Sequence, residues 1–381
     1  MSPRRQSMKP KGGEDTSEEP DAMRSLAMQA EAMGRDHPHI ALSLRQAAQL
    51  HLAQQRITDA LPLLERALTI SEQHLHQESI APPDARLAHA LPEFHEEAEQ
   101  LYSLCLAWPG EPRVRSLALS AVLLRKGLSV ARLSELSRTL SRGLKREDLK
   151  AFELLRSVRA GLSTLRLLGP GTRSPREYQR SLEALSSQGD ALEASLAQRS
   201  TALRWFLEQP PPAELPCRVA EALPKDGALI EFITTRKLRP PSESGVSSSR
   251  PESPARYLAL LLLADGSTSC ADLGPTEPMD ATAILLHRAL MSRCAPIQPL
   301  ARALYTSALC PLLPRLGSAR RLFIAPDGWL SLVPFAELHD GERFLSDAFH
   351  ITQLTSGREL LPRPELHPQK QPGLLLMNLD L

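Results

Sequence analysis

Three consecutive prolines, Pro210 to Pro212, divide this 381-residue chain into two halves with different hydrophobic periods. Proline lacks a backbone N–H and fixes φ, so a regular helix does not continue through such a run. Before the prolines, apolar residues recur at helical spacing. After them, short apolar runs such as 228–235 and 257–264 are typical of buried strands. The sequence therefore predicts a helical region followed by an α/β layered region.

The charge balance argues against two classes of partner. Lysine plus arginine (45) nearly match aspartate plus glutamate (44), which leaves a net charge of +1. Such a chain has no overall field that attracts nucleic acid or an anionic membrane. The longest apolar run, 258–264, is far shorter than a membrane span, and no signal-peptide pattern follows Met1. We expect a cytoplasmic protein that binds neither nucleic acid nor membrane.

The cysteines indicate neither a metal site nor a disulfide framework. They form no Cys-x-x-Cys pair and have no zinc-ligand spacing with histidine. No glycine-rich phosphate-binding motif occurs either, which argues against a nucleotide-binding sheet. We expect no cofactor and no metal. We interpret all five cysteines as reduced, buried, small apolar side chains: Cys105, Cys217, Cys270, Cys294 and Cys310.

Residues 1–20 are polar and are predicted to be a disordered tail, because they lack apolar anchors.

The first part of the helical half contains an internal sequence repeat. Within residues 21–91 similar residues recur after about 40 positions, and a repeat of this length is typical of stacked helix pairs. One pair is clear, with helices predicted at 40–54 and 57–73. Small side chains allow these two helices to approach closely: Ala47, Ala48, Ala60 and Ala67.

This helix pair resembles a tetratricopeptide repeat of the kinesin-light-chain type. The resemblance rests on the loop Gly34-Arg35-Asp36-His37-Pro38 and on the spacing of Ala60, Leu64 and Ala67. It implies that residues 21–91 bind a protein or peptide ligand. A generic helical hairpin remains the alternative.

Residues 92–210 are predicted to be a helical linker region that ends in an antiparallel hairpin. Apolar residues from Ala151 to Leu165 and from Tyr178 to Phe206 follow heptad-like spacing. Between them, Ser174 and Glu177 have the spacing of a capping box, which starts a helix. We expect Leu192 and Leu196 to face the helix over 151–165.

The second half mixes strands, helices and a loop. Strands are predicted at 228–235, 257–264, 321–325 and 329–335, further strand-like runs at 344–354 and 373–379, helices at 279–291 and 300–316, and a low-complexity loop at 239–254.

The segment from Arg321 to Leu361 resembles the CHAT domain, a caspase-like domain found joined to tetratricopeptide repeats. The matching motifs are Pro326-Asp327-Gly328, the run Leu330 to Phe335, and the run Ser356 to Leu361. Earlier segments also fit this domain. Residues 121–130 resemble a helix that is common upstream of it, and residues 219–233 and 256–274 resemble its first strands. The resemblance implies that residues 211–381 are the N-terminal part of an incomplete caspase-like α/β domain.

The Pro326-Asp327-Gly328 motif can be explained by turn geometry without a catalytic role. Proline presets φ, aspartate caps its own turn, and glycine adopts positive φ. We therefore interpret as structural the residues Pro326, Asp327, Gly328, Pro334 and Phe335.

The resemblance implies a Cys/His dyad, in which a thiolate attacks a carbonyl and an imidazole transfers the proton. In the family, a His-Gly turn and a Ser-Ala-Cys strand end follow the Ser-Gly-Arg run. Neither pattern occurs here, and the chain ends at Leu381, so we expect a truncation before the dyad and no catalytic residue. The nearest imitations are expected to be non-catalytic: Cys310 in a helical pattern, His339 in a turn, His350 in a strand and His367 in a proline-rich tail.

Two hypotheses follow. The first is the non-catalytic N-terminal portion of a CHAT-domain cysteine endopeptidase, with a tetratricopeptide-like helical region that binds a partner. The alternative is an adaptor whose protease-derived domain only binds. Whether the chain is an enzyme stays open at this point.

Overall fold

The computed structural model describes residues 18–80, 85–128, 144–199, 203–204, 207, 210–236, 253–292 and 296–362. The N-terminal half of these residues is helical. Its helices are α1 Glu18–Met33, α2 Pro38–Ala53, α3 Ile57–Ile80, α4 Ala85–Ala107, α5 Pro112–Arg125, α6 Arg146–Leu168 and α7 Pro175–Arg199. Of the predicted disordered tail, 1–20, residues 1–17 lie outside the described residues, and residues 18–20 are not disordered but form the start of α1.

Helices α2 and α3 form the predicted hairpin. His37 is the N-cap of α2: its Nδ1 accepts a hydrogen bond from the backbone N–H of His39 at 3.3 Å, and Pro38 occupies the first turn. Gly34 ends the preceding turn at a φ of 95°, a conformation that favours glycine. The small residues between the helices are buried as expected: Ala47, Ala48, Ala60 and Ala67. The tetratricopeptide assignment itself stays a prediction.

Helices α6 and α7 form the second hairpin. The capping box is present, since Ser174 N donates to Glu177 Oε2 at 2.9 Å and Glu177 N donates to Ser174 Oγ at 3.3 Å. Leu196 is fully buried in one cluster with Phe152 and Leu155 of α6, and Leu192 packs against that cluster. The expected orientation of both leucines is confirmed.

Gly189 in α7 makes room for a buried arginine. A Cβ at this position would lie 2.6 Å from the guanidinium of Arg159 in α6. That guanidinium donates to Glu193 Oε1 at 2.8 Å and to Asp190 Oδ1 at 2.7 Å. Packing against Arg159 therefore explains why a glycine occupies position 189 inside α7.

The C-terminal half contains a five-stranded mixed sheet. Its elements are α8 Leu215–Ala222, β1 Gly227–Thr235, β2 Arg256–Leu263, β3 Thr268–Pro275, α9 Thr276–Ser292, α10 Ile297–Leu304, β4 Arg321–Ala325, α11 Leu345–Ala348 and β5 His350–Gln353. The strand order is β3-β2-β1-β4-β5. The pairs β1/β2 and β2/β3 are antiparallel, whereas β1/β4 and β4/β5 are parallel. A helical half followed by a small mixed sheet agrees with the expected α-then-α/β order.

Both faces of the sheet are covered. Leu229 and Leu258 belong to one hydrophobic cluster with residues of α2 to α5, whereas Ile230 and Leu261 belong to another with residues of α9 and α10. Burial on both faces explains why β2 is a nearly continuous apolar run rather than an alternating one. The predicted boundaries at 91, 210 and 211 stay predictions.

The predicted strand over Trp329 to Phe335 is wrong. The chain instead forms one 3₁₀ turn over Gly328–Leu332 and a second over Phe335–Glu337. Gly328 has a φ of 55°, which turns the chain away from the sheet, and Pro334 has no N–H to donate to a neighbouring strand. The run 344–354 contains α11 as well as β5. The run 373–379 and most of the loop 239–254 lie outside the described residues.

The prediction that all five cysteines are buried is also wrong in part. Cys105 and Cys270 are buried, whereas Cys217 and Cys310 are exposed. Cys217 lies on the outer side of the short helix α8, and Cys310 follows the π-helical turn Tyr305–Leu309. Cys294 lies outside the described residues. No helix in the described ranges is both long and apolar enough to cross a bilayer.

Candidate functional site

The carboxyl end of β4 lies beside the middle of the parallel strand β1. Their register pairs Glu231 with Ala325. Functional groups in α/β sheets gather beyond the carboxyl ends of parallel strands. Glu231 in the middle of β1, Thr234 near the end of β1 and Asp327 after β4 place polar side chains around the carboxyl end of β4. The region around the carboxyl end of β4 is therefore the candidate site.

Glu231 is the centre of a buried polar cluster on the sheet face that meets the helical half. Its side chain has no exposed area, and its Oε2 accepts a hydrogen bond from Lys126 Nζ at 2.7 Å. Its Oε1 accepts from Gly357 N at 2.5 Å and lies 3.5 Å from Ser356 Oγ. Burial raises the pKa of Glu231 above its ordinary value, opposed by the charge of Lys126 and by these hydrogen bonds.

Lys126 joins the helical half to both strands. The residue is the C-cap of α5. Besides Glu231, its Nζ donates to the carbonyl oxygens of Phe232 at 2.9 Å and Ala325 at 2.6 Å. An ammonium group has three donors, so these three acceptors use all of them. Lys126 therefore links α5, β1 and β4, and its proton donors are already engaged within the fold.

The Pro326-Asp327-Gly328 turn lies in the same region. Asp327 Oδ2 accepts hydrogen bonds from both N and Oγ1 of Thr234 at 2.9 Å. A Cβ at Gly328 would lie 2.7 Å from the hydroxyl oxygen of Tyr257, which itself donates to Asp280 Oδ1 at 2.6 Å. These contacts hold the turn against β1 and β2, as a structural role requires.

The second part of the motif packs under the sheet. Phe335 is fully buried, and its ring stacks on that of Phe232 with centroids 5.5 Å apart. Pro334 precedes the 3₁₀ turn that carries Phe335. A structural role for Pro334 and Phe335 remains our interpretation.

Of the candidate catalytic bases that the structure describes, His339 is the buried one, and it contacts groups other than thiols. His339 is buried: its Nδ1 accepts from Gly341 N at 2.9 Å, its Nε2 lies 3.3 Å from Gln298 Nε2, and its ring meets the edge of Phe344. His350 is exposed at the start of β5. His367 lies outside the described residues. Within the described ranges, no group of three or more His, Cys, Asp and Glu residues could hold a metal ion.

Sequence reasoning missed the pairing of Lys126 with Glu231. One signal was present: Glu231 is the only charged residue in the strand 227–235, and a buried carboxylate needs a partner. The resemblance places Lys126, within 121–130, in a helix upstream of the expected domain and Glu231, within 219–233, in one of the domain's first strands. Their separation by 105 residues hides the contact from any local pattern.

A protein-family model described as the CHAT domain matches residues 298–380. The match contains α10, β4, α11, β5 and the Pro326-Asp327-Gly328 turn. No curated protein and no solved structure matches the chain. The family match supports the expected CHAT relationship for the C-terminal region.

Proposed function

We propose that this chain is the partner-binding and N-terminal portion of a CHAT-type, caspase-like cysteine endopeptidase, and that the Cys/His dyad is not among its residues. The family match over residues 298–380 carries this proposal. The helical half covers one face of the sheet to which the matched strands β4 and β5 belong. In this arrangement the helical half serves as a platform for the domain.

The chemistry requires a thiolate within hydrogen-bond reach of a base and donors for the developing oxyanion. Cys310, the nearest imitation of the nucleophile, is exposed after a π-helical turn, while the ring of His339 contacts Gln298 and Phe344. These placements support a non-catalytic role for the residues of this chain.

The helical half would bind a protein or peptide ligand, as tetratricopeptide repeats do. The hairpin of α2 and α3 supports this, because its small buried residues bring two helices close together, as in stacked helix pairs. Leu42 on α2 and Met28 on α1 remain exposed and are available to a ligand. The ligand stays a proposal.

One observation favours the alternative, a non-catalytic adaptor. The polar groups around the carboxyl end of β4 are engaged by the fold itself: Lys126 by three acceptors, and Asp327 by Thr234. An adaptor needs such a cluster only to hold its shape.

The reading frame of the gene separates the two functions. If the endopeptidase proposal is right, the frame continues past Leu381 with a His-Gly and a Ser-Ala-Cys motif. The full-length product should then be labelled at that cysteine by a peptide acyloxymethyl ketone, and replacement of the cysteine by alanine should abolish labelling.

The 381-residue chain alone should show no rapid labelling. An open reading frame that stops at Leu381, together with an unlabelled chain, would favour the adaptor. Rapid labelling of Cys310 that is lost on replacing one histidine would contradict both.

A further inference from the structure

Two thiols from opposite halves of the sequence meet between α4 and β3. Cys105 lies in the last turn of α4 and Cys270 in β3, 165 residues apart. Cys270 Sγ is 3.9 Å from the carbonyl oxygen of Cys105, and Cys105 Sγ is 4.0 Å from that of Val114 in α5. Both side chains belong to the same buried cluster. The fold therefore places two free cysteines next to each other in its core.

The surroundings make the two thiols unequal. The neighbouring thiol of Cys105 and the positive charge of Arg115 lower the pKa of Cys270, against the effect of burial. The neighbouring thiol of Cys270, together with burial, raises the pKa of Cys105. Arg115 is held in place by Pro109 O at 2.8 Å and Thr268 Oγ1 at 3.4 Å. Cys270 Sγ lies 3.7 Å from the same Pro109 oxygen, so the guanidinium is beside Cys270 and favours it as the attacking sulfur of the pair.

We propose that Cys105 and Cys270 form a peroxide-sensitive dithiol that closes to a disulfide between α4 and β3. The site is independent of the proposed endopeptidase function. Its oxidant is hydrogen peroxide, because side chains that are 1% and 7% exposed admit a small molecule more readily than a bulky disulfide reagent.

The reaction balances in two steps. The Cys270 thiolate attacks one oxygen of the peroxide: an S–O bond forms, the O–O bond breaks, and the leaving hydroxide takes up the proton that Cys270 has lost and becomes water. Cys105 then gives up its proton and attacks the sulfenic sulfur: the S–S bond forms, the S–O bond breaks, and hydroxide leaves with that proton as a second water. Each sulfur loses one electron, and the peroxide gains two.

The disulfide would connect the helical half to an outer strand. β3 is the terminal strand of the sheet and pairs only with β2 in the observed order. Arg115 of α5 already contacts Thr268, the first residue of β3. A covalent link from Cys270 to α4 would fix this strand to the helices on one face of the sheet.

The test treats the folded 381-residue chain with hydrogen peroxide, counts thiols after denaturation and maps cross-linked peptides by mass spectrometry. We expect the loss of two of the five thiols, one cross-link between Cys105 and Cys270, and its reversal by a dithiol reductant. The same cross-link should form in the matched control, Cys217→Ser with Cys310→Ser, which removes the two exposed thiols.

A Cys105→Ser variant tests the order of the steps. Cys270 should then stop at the sulfenic acid and be captured by a cyclic diketone, whereas Cys270→Ser should leave Cys105 unlabelled. The proposal is overturned if Cys105 and Cys270 remain free thiols in the wild-type chain while Cys217 and Cys310 are oxidised. This outcome is read in the wild-type chain and does not depend on how well the variants fold.

Discussion

Arg125 and Lys126 are consecutive residues whose charged groups bind opposite parts of the molecule. The Arg125 guanidinium pairs with Glu72 at 3.1 Å and Glu97 at 3.3 Å in the helical half, and lies 4.7 Å from the centroid of the Phe94 ring. The Lys126 ammonium pairs with Glu231 of β1 at 2.7 Å. The end of α5 therefore connects α3 and α4 on one side with the sheet on the other.

Replacing Lys126 by methionine should destabilise the chain strongly. The variant leaves Glu231 buried without its cation, and breaking a buried ion pair in this way costs about 3–5 kcal/mol. The free energy of unfolding, measured in urea, should fall by that amount. The double variant Lys126→Met, Glu231→Leu should recover part of the loss, because no buried charge remains.

The matched control for this variant is the exposed pair of Arg113 and Glu65. Arg113→Met should cost less than about 1 kcal/mol, as surface ion pairs do. An equal effect of Arg113→Met and Lys126→Met would show that the burial of the Glu231 pair has no energetic consequence.

Leu196→Ala should destabilise the hairpin of α6 and α7. Leu196 is fully buried against Phe152 and Leu155, and truncating a buried leucine costs about 2–5 kcal/mol. Leu167→Ala is the control, since this α6 side chain is 72% exposed and its truncation should change stability by less than about 0.5 kcal/mol. Thermal and urea unfolding give both values. A neutral Leu196→Ala would mean that the apolar stripe is open to a partner.

Replacing either of two helical glycines, Gly189 or Gly161, by alanine should change the stability of the chain, but in opposite directions. At Gly189 the new methyl would displace the Arg159 guanidinium from Glu193 and Asp190, and leaving such a buried charge with broken hydrogen bonds costs about 1–3 kcal/mol. At Gly161 on α6 nothing lies within 4 Å of a Cβ, so alanine should stabilise by up to about 1 kcal/mol. Circular dichroism at increasing temperature compares the two. Stabilisation by both substitutions would contradict the role assigned to Gly189.

His74 should make stability depend on pH. Burial, together with the charge of Arg166, lowers its pKa from 6.5 to about 3. The unfolded chain therefore binds a proton at this residue between about pH 6.5 and 3 while the folded chain does not, so acidification through this window removes stability. His74→Phe should remove that part of the pH dependence.

The measurement is the difference in unfolding free energy between His74→Phe and the wild-type chain at several pH values. The difference isolates His74 from Glu97 and Glu231, whose raised pKa values act in the opposite direction. His350→Phe, at an exposed position, serves as the control for a histidine-to-phenylalanine substitution. A His74→Phe curve parallel to the wild-type curve would show that His74 titrates normally.

The sequence predicts most clearly what local rules determine. The capping box of Ser174 and Glu177 and the buried stripe around Leu196 depend on residues a few positions apart, and both are found. The strand predicted at 329–335 is wrong, because Gly328 and Pro334 impose turns on the apolar segment between them. The contacts of Lys126 with Glu231 and of Cys105 with Cys270 join residues more than one hundred positions apart. Only the assembled fold shows them.

The hydrophobic cluster shared by α2 to α5 and β1 to β3 has a consequence for how the molecule melts. Because α2 to α5 share a cluster with Leu229, Leu258 and Leu260, a fragment beginning at residue 211 would expose to water the part of this sheet face that those helices cover. Neither half can then lose its structure without exposing the other, and calorimetry of the chain should record a single cooperative transition across the proline run.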